Sequence, residues 1–322
     1  MGSIQKIVST PLKWASKHVL KRTLLRFPGG DSHDPIACTY CPELCRFACP
    51  TAVVSANDAV TPCNKMSLLH KEKRWPGRAA DGGELWPLYD CTGCGRCTEF
   101  CVYEMPVMEQ LFEARKVFAW EPAKKAALAL TDQMDEVGDL ADELGDTVNA
   151  ERRLKKYSLK FAPGRCEISE PRSLYYARKH GVEATFSSEK FMKESPSAAL
   201  QKHFSGKRWL VHESNWYNRH LDQASEMRSW IEKAKSVGIQ LVTPFANGSE
   251  CIDCGGEGAY SRLFPEQARQ IAVDFWERDQ HRVDGILCLS NRCAEHFRKH
   301  LGNDVPIFSL TRLFQEQVGV RG

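Results

Sequence analysis

Cysteine is the residue type with the clearest capacity for chemistry in this chain of 322 residues, which contains 14 cysteines. Twelve of them fall into three groups, at positions 38/41/45/49, at 91/94/97/101, and at 251/254 with 288/293. Disulfide frameworks belong to short secreted chains, whereas closely spaced cysteines in a chain without a secretory signal indicate metal binding. The N-terminus has no apolar signal-peptide core. We therefore expect reduced thiols that bind metal in a cytoplasmic protein.

The first two groups have the spacing of iron–sulfur loops. The segment "CTGCGRCTEFC" at 91–101 is Cys-x2-Cys-x2-Cys-x3-Cys, which wraps thiolates around one [4Fe–4S] cluster. The segment "CTYCPELCRFACP" at 38–50 has one residue more between its second and third cysteines. Two zinc sites of four cysteines each are the alternative, but zinc sites usually pair two Cys-x2-Cys knuckles. The spacing therefore predicts two [4Fe–4S] clusters.

The arrangement of these two motifs resembles a known family. Two such motifs, joined by a helical insert and followed by a long helix, resemble the α-helical ferredoxin domain found in the iron–sulfur subunits of heterodisulfide reductase, glycerol-3-phosphate dehydrogenase and succinate dehydrogenase-type enzymes. The resemblance implies a helical domain that relays electrons in two steps. In two-cluster ferredoxins the fourth cysteine of each motif ligates the other cluster. Transferred to this chain, the rule gives one cluster held by Cys38, Cys41, Cys45 and Cys101, and a second held by Cys91, Cys94, Cys97 and Cys49.

The third cysteine group resembles the CCG domain, the cysteine-rich module of heterodisulfide reductase and of lactate and glycolate oxidase iron–sulfur subunits. Cys254 and Cys293 match cysteines of the family pattern, whereas Asn215, Asp253 and Ser290 stand where the family has cysteine. Cys251 lies two residues before Asp253, and Cys288 lies two residues before Ser290. The predicted metal site consists of Cys251, Cys254, Cys288 and Cys293. Zinc, a third iron–sulfur cluster and unoccupied core thiols all remain open for these residues.

The segments around the third group predict an α/β layer. Strand-like runs alternate with helical ones, an order that predicts a parallel sheet whose functional groups gather at the carboxyl ends of the strands. The runs are at 208–214, 239–245, 284–290 and 305–310, and the helical segments at 220–236, 260–278, 291–301 and 311–318. His212 lies in the first of these runs, and a core or loop histidine is the simpler interpretation for it than a ligand. Upstream, residues 107–130 predict a long helix interrupted at Pro122.

The predicted architecture is multidomain, with an α-helical two-cluster ferredoxin domain followed by an α/β, CCG-like domain with a parallel sheet. Residues 1–27 contain six lysines and arginines, no acidic residue, and apolar residues at helical spacing. Such a helix suits an anionic membrane surface or a groove on a partner protein. The predicted divisions are a basic amphipathic helix at 1–30, the ferredoxin domain at 31–125, a helical connector at 126–159 and the CCG-like domain at 160–322.

These features favour an electron-transfer subunit of a larger, membrane-associated oxidoreductase. The chain has no glycine-rich dinucleotide fingerprint, so the demanding chemistry is expected on another chain. The expected partners are a flavoprotein, a dehydrogenase, a hydrogenase or a quinone-reducing membrane subunit, reached on the inner face of the cytoplasmic membrane. The net charge of +3 gives no argument for nucleic acid. The alternatives are a heterodisulfide-reductase-like thiol–disulfide reductase with a third cluster, and a zinc-stiffened docking subunit.

Overall fold

A computed structural model of the chain describes residues 34–41, 43–75, 83–118, 120–128, 166–168, 170–179, 181 and 183–318. The helix predicted at 1–30 and the connector beyond residue 128 lie outside these residues. The described part is mostly helical and carries one four-stranded parallel sheet, together with a separate parallel pair of strands. This composition fits the predicted order of a helical part followed by an α/β part. None of the described helices combines the length and apolar character that a bilayer crossing requires.

The helical part comprises seven described α-helices, most of them short. They are α1 (Cys45–Ala48), α2 (Pro50–Ser55), α3 (Pro62–Arg74), α4 (Trp86–Tyr89), α5 (Arg96–Glu99), α6 (Val107–Val117) and α7 (Glu121–Leu128), with 3-10 helices at Pro35–Tyr40, Asp58–Val60 and Gly83–Leu85. The start of α3 is fixed locally, because the hydroxyl of Thr61 accepts a hydrogen bond from the amide of Asn64 and Pro62 occupies the first helical position.

The helix predicted over 107–130 is two helices, and the break differs from the predicted one. Helix α6 ends at Val117 and α7 begins at Glu121, so the interruption precedes Pro122. Pro122 instead lies in the first turn of α7, where its missing amide proton costs no hydrogen bond.

The α/β part alternates strands and helices as the sequence predicts, with shorter strands. It comprises β1 (Cys166–Ile168), α8 (Pro171–Lys179), β2 (Ala184–Phe186), α9 (Glu189–Lys193), α10 (Ala198–Phe204), β3 (Arg208–His212), α11 (Ala224–Ser236), β4 (Gln240–Val242), α12 (Tyr260–Leu263), α13 (Pro265–Asp279), β5 (Gly285–Cys288), α14 (Asn291–Leu301), β6 (Ile307–Ser309) and α15 (Leu310–Val318). A π-helix spans Trp216–His220, and 3-10 helices span Gly248–Glu250 and Gln280–Arg282. The helix predicted at 260–278 is divided in two where Phe264 precedes Pro265.

The register of the larger sheet brings two candidate site residues together. Its strand order is β4-β3-β5-β6, and all pairs are parallel. In the pairing of β3 with β5, His212 lies opposite Cys288 at the carboxyl ends of both strands. Ser290 then caps α14, because its hydroxyl accepts a hydrogen bond from the amide of Cys293. The end of β5 and the first turn of α14 thus fix two cysteines beside one histidine.

The helical part and the α/β part share a hydrophobic core. One cluster of buried residues contains Leu111 and Phe112 of α6 together with Trp216, Tyr260 and Ile271 of the α/β part. At its edge the rings of Trp120 and Phe264 stack with centroids 5.9 Å apart. Burying these large side chains together stabilises one fixed arrangement of the two parts.

Candidate metal centres

The first group of thiols lies where the 3-10 helix at 35–40, the start of α1 and the segment just after α5 converge. Cys38, Cys41, Cys45 and Cys101 are all half-buried. Burial, and then the neighbouring thiols Cys63, Cys101 and Cys45, raise the pKa of Cys38 well above its usual value. Burial, and then the thiols of Cys63, Cys101 and Cys41, raise the pKa of Cys45 to about 12. These thiols therefore share one site, where a metal cation would have to displace the protons of Cys38 and Cys45.

Cys63 is a fifth thiol beside this group. The sequence favours a small buried residue at this position, and the structure buries it. Its Sγ donates a hydrogen bond to the carbonyl oxygen of Cys38, with 2.7 Å between the heavy atoms. Cys63 therefore supports the loop that carries Cys38.

The second group of thiols lines a single cavity. The lining includes Cys49, Cys91, Cys94 and Cys97. The cavity measures about 20 Å³. This is room for about one water molecule. A metal–sulfur bond of about 2.3 Å is far shorter than a van der Waals contact. A group larger than water could therefore occupy this cavity only if it were bonded to the cysteine sulfurs. Burial raises the pKa of Cys94 to about 11, so this thiol is protonated at neutral pH when no metal is bound.

The last cysteine of each group lies near the thiols of the other group. Cys49 follows α1, which carries Cys45, yet it lines the cavity of the 91–97 loop. Cys101 follows α5, which carries Cys97, yet it acts on the thiols of the 38–45 loop. Helices α1 and α5 pack together, and the guanidinium of Arg96 donates to the carbonyl of Ala48 at 3.1 Å. The structure therefore brings together the two sets of four that the ferredoxin resemblance implies; ligation itself stays a prediction.

A buried ammonium group belongs to the second group. Lys65 of α3 is 1% exposed and lines the same cavity. Its Nζ donates to the hydroxyl of Thr51 at 3.1 Å, and that hydroxyl lies 3.3 Å from the Sγ of Cys49. Burial alone lowers the pKa of Lys65, but Cys49, Cys91 and Asp90 together raise it above its ordinary value. A buried cation is costly unless anions surround it, so Lys65 marks a place for negative charge.

The π-helix at 216–220 holds the 91–97 loop. The Nε2 of His220 lies 2.9 Å from the carbonyl oxygen of Gly93, and Arg219 donates to the carbonyl of Cys94. Arg219 also donates to the carbonyl of Cys251 at 2.8 Å. Gly95 has a φ of +67°, and a Cβ there would lie 2.8 Å from the His220 ring. This close approach requires glycine and ties the cysteine loop to the α/β part.

The third group includes a histidine. One ligand atom each from His212, Cys254 and Cys293 lie within 4.8 Å of one another, and all three residues are buried. The Sγ atoms of Cys254 and Cys293 are 3.2 Å apart. Cys288 lies in the same buried cluster and, after burial and Cys254, contributes to the raised pKa of Cys293. Burial lowers the pKa of His212 to about 4, so its ring is neutral, as metal ligation requires.

Cys251, the other member of the predicted four-cysteine set, is not part of the group formed by His212, Cys254 and Cys293. Its Sγ is 3.9 Å from Nη2 of Arg219. Burial raises the pKa of Cys251, Arg219 lowers it, and Glu213 and Cys94 raise it further. In the loop after β4, Cys251 lies next to the 91–97 loop, whereas Cys254 lies next to His212. The signal that identifies His212 is its place at the carboxyl end of β3, beside the strand that ends in Cys288.

A scan against protein-family models, a search of curated proteins and a search of solved structures each return no match for this chain.

Proposed function

We propose that the chain is an iron–sulfur electron-transfer subunit of a larger oxidoreductase, with [4Fe–4S] clusters at the first two thiol groups. The proposal is supported by the position of each fourth cysteine: Cys49 lines the cavity of the 91–97 loop, and Cys101 acts on the thiols of the 38–45 loop. An exchange of fourth cysteines is a property of two-cluster ferredoxins. The multidomain organisation and the kinship with the α-helical ferredoxin and CCG domains belong to the same proposal.

The residues around the second group fit an anionic cluster. Four thiolates are soft anionic ligands, which iron–sulfur clusters require. Val107, Met108 and Leu111 of α6 line the cavity and limit the access of water, while Lys65 supplies positive charge. Such clusters, when bound, accept and release single electrons. The chain's own contribution is to hold the thiols, to exclude water and to place a fixed cation beside them.

The third group fits zinc. Three cysteines and one histidine form one of the common sets of structural zinc ligands, and closed tetrahedral sites need no access to solvent. His212, Cys254, Cys288 and Cys293 are at most 1% exposed. This burial disfavours a thiol–disulfide reductase, whose substrate must reach the metal. We therefore propose a zinc site that fixes the end of the sheet next to the 91–97 loop.

Metal analysis of three variants tests the third site. Cys254→Ser and His212→Gln are expected to lose the zinc, whereas Cys251→Ser is expected to retain it because Cys251 lies beside Arg219. The cysteine set predicted from the sequence gives the opposite pattern, in which Cys251→Ser loses the metal and His212→Gln keeps it.

The proposed partners are proteins that would carry out the substrate chemistry on another chain. A flavoprotein, dehydrogenase, hydrogenase or quinone-reducing membrane subunit would exchange electrons with the two clusters, and residues 1–27 would dock the chain on the inner face of the cytoplasmic membrane or on the partner. Deleting residues 1–27 should release the protein from membranes or from its complex with unchanged iron content. Unchanged fractionation would argue against this docking role.

An EPR-monitored redox titration of the anaerobically purified protein tests the electron-transfer function. We expect two reversible one-electron transitions from two interacting centres. Iron bound without any reversible transition would mean that the metal is structural, and it would favour the docking-subunit alternative.

A further inference from the structure

A second cavity lies in the α/β part, apart from the thiol-lined one. It measures about 200 Å³ and opens between the loop after Cys254, helix α12 and helix α14. Its volume is below the roughly 300–1,000 Å³ of pockets for drug-sized ligands, so it suits a small molecule. Its charged and titratable lining residues are Arg172, Arg262, Arg292, Lys299, Glu295 and His296.

The lining is strongly basic. Four of these side chains carry a permanent positive charge at neutral pH, and Glu295 is the one carboxylate among the described lining residues. Glu295 accepts a hydrogen bond from Asn291 at 2.8 Å. His296 adds no charge, because burial lowers its pKa to about 4, and its Nε2 lies 3.1 Å from the carbonyl oxygen of Ala268.

The cations are arranged by depth. Arg172 is 1% exposed and is held over the rings of Tyr176 and Trp216, with its Cζ 5.5 and 5.7 Å from their centroids. Arg292 is half-buried and donates to the hydroxyl of Ser173 at 3.1 Å. These contacts hold the inner guanidinium groups in place before any ligand arrives, which lowers the entropic cost of binding.

Two carboxyl groups, one buried and one half-buried, lie close to these arginines. Glu257 acts on both Arg172 and Arg292, and Glu170 acts on Arg292. Burial raises the pKa of Glu170 to about 7, and its oxygens accept hydrogen bonds from the Ser290 hydroxyl and the Asn291 amide. When ionised, these acids offset part of the charge of the inner arginines. Arg262 and Lys299 are not among the cations that act most strongly on these two carboxyl groups.

The outer cations are Arg262 and Lys299, both exposed. Neither forms an ion pair with any residue in the described part of the chain. The backbone of Gly256 packs tightly against His296 in the pocket wall, since a Cβ on Gly256 would lie 2.3 Å from the His296 ring. A concave, low-dielectric wall with charge of one sign concentrates the potential within it.

We propose that this pocket binds a small anion with phosphate or carboxylate groups, gripped by Arg172 and Arg292 from within and by Arg262 and Lys299 at the mouth. Guanidinium groups match the oxygens of both chemistries through paired hydrogen bonds, and the lysine supplies a further point charge. The pocket begins two residues after Cys254, at Gly256. A bound anion would therefore contact the loop that supplies one ligand of the proposed zinc site.

Isothermal titration calorimetry on the anaerobically purified full chain tests the proposal. The probes are inorganic phosphate, pyrophosphate and citrate, each at an ionic strength held constant with sodium chloride. We expect saturable binding of at least one probe, and the strongest probe distinguishes phosphate from carboxylate chemistry. The double variant Arg262→Gln/Lys299→Gln should bind that probe at least about tenfold more weakly, because charge-assisted hydrogen bonds are lost.

The matched control removes one arginine and one lysine elsewhere. Arg312→Gln/Lys235→Gln changes the net charge equally but affects exposed residues paired with Glu316 and Glu232. The control should bind as the unmodified chain does. The absence of saturable binding for all three probes overturns the proposal. An equal loss of affinity in both double variants overturns it as well, since it would show only general attraction to a basic surface.

Discussion

Replacing Lys65 by methionine tests whether the second thiol group holds a redox cluster stabilised by a buried cation. The variant keeps a long side chain in α3 and removes the positive charge from the cavity that Cys49 lines. Reduction of a cluster adds one negative charge, so the ammonium favours the reduced state. Its removal should lower the midpoint potential of this cluster and leave the cluster of the 38–45 loop nearly unchanged.

The size of the shift follows from the contacts of Lys65. Its Nζ is 3.1 Å from the Thr51 hydroxyl, which is 3.3 Å from the Sγ of Cys49. A unit charge about 6 Å away interacts by about 3 kcal/mol at an effective dielectric constant of about 20. For a one-electron couple, where a tenfold change in equilibrium constant is 59 mV, this corresponds to a fall on the order of 100 mV.

EPR-monitored redox titration measures the shift, with iron content determined on the same sample. Lys73→Met is the matched control, since Lys73 is exposed on the same helix and its removal should leave both potentials in place. A Lys65→Met variant with full iron content and an unchanged midpoint potential would refute the role of Lys65. A shift of equal size in both clusters would refute the crossed arrangement of the thiols around it.

Three further substitutions probe the ligands, the packing and the pH dependence. Cys49→Ser should remove about four of about eight irons and abolish the EPR signal of the 91–97 cluster; loss of only the other cluster's signal would contradict the crossing. Gly95→Ala should lower the free energy of unfolding by about 1–3 kcal/mol more than Gly206→Ala, because both glycines have positive φ but only Gly95 faces His220; equal losses in denaturant titrations would contradict this contact. Burial raises the pKa of Glu170 to about 7, so the folded state holds this proton more tightly than the unfolded state. Stability should therefore fall by roughly 3 kcal/mol as the pH rises from about 4.5 to about 7, and Glu170→Gln should flatten this part of the profile of melting temperature against pH.

Local spacing and periodicity predicted much of the architecture. The alternation of strands and helices after residue 200 follows from short apolar runs bounded by turns, and the four-stranded parallel sheet confirms it. The sequence predicted a helix break at Pro122, whereas the break lies before that residue. Proline in a first helical turn and proline within a helix look alike in a sequence. The helix at 1–30 remains a prediction outside the described residues.

The candidate site was predictable where its ligands are close in sequence. Spacing alone groups Cys91, Cys94 and Cys97, since a short loop can surround one cluster. Spacing does not reveal that Cys251 lies beside Arg219, because that contact joins residues far apart in the chain. His212 and Lys65 escaped detection for the same reason: the contacts that define them join segments far apart in the chain, through sheet register and helix packing.

Iron, sulfide and zinc analysis of the full chain, purified anaerobically and combined with Mössbauer spectroscopy, tests the central claim most directly. We predict about eight irons and about eight sulfides in two [4Fe–4S] clusters, with one zinc per chain. About twelve irons without zinc would instead assign a third redox centre to the group of His212, Cys254, Cys288 and Cys293. Fewer than about four irons per chain, with zinc at the cysteine groups, would contradict the presence of two clusters.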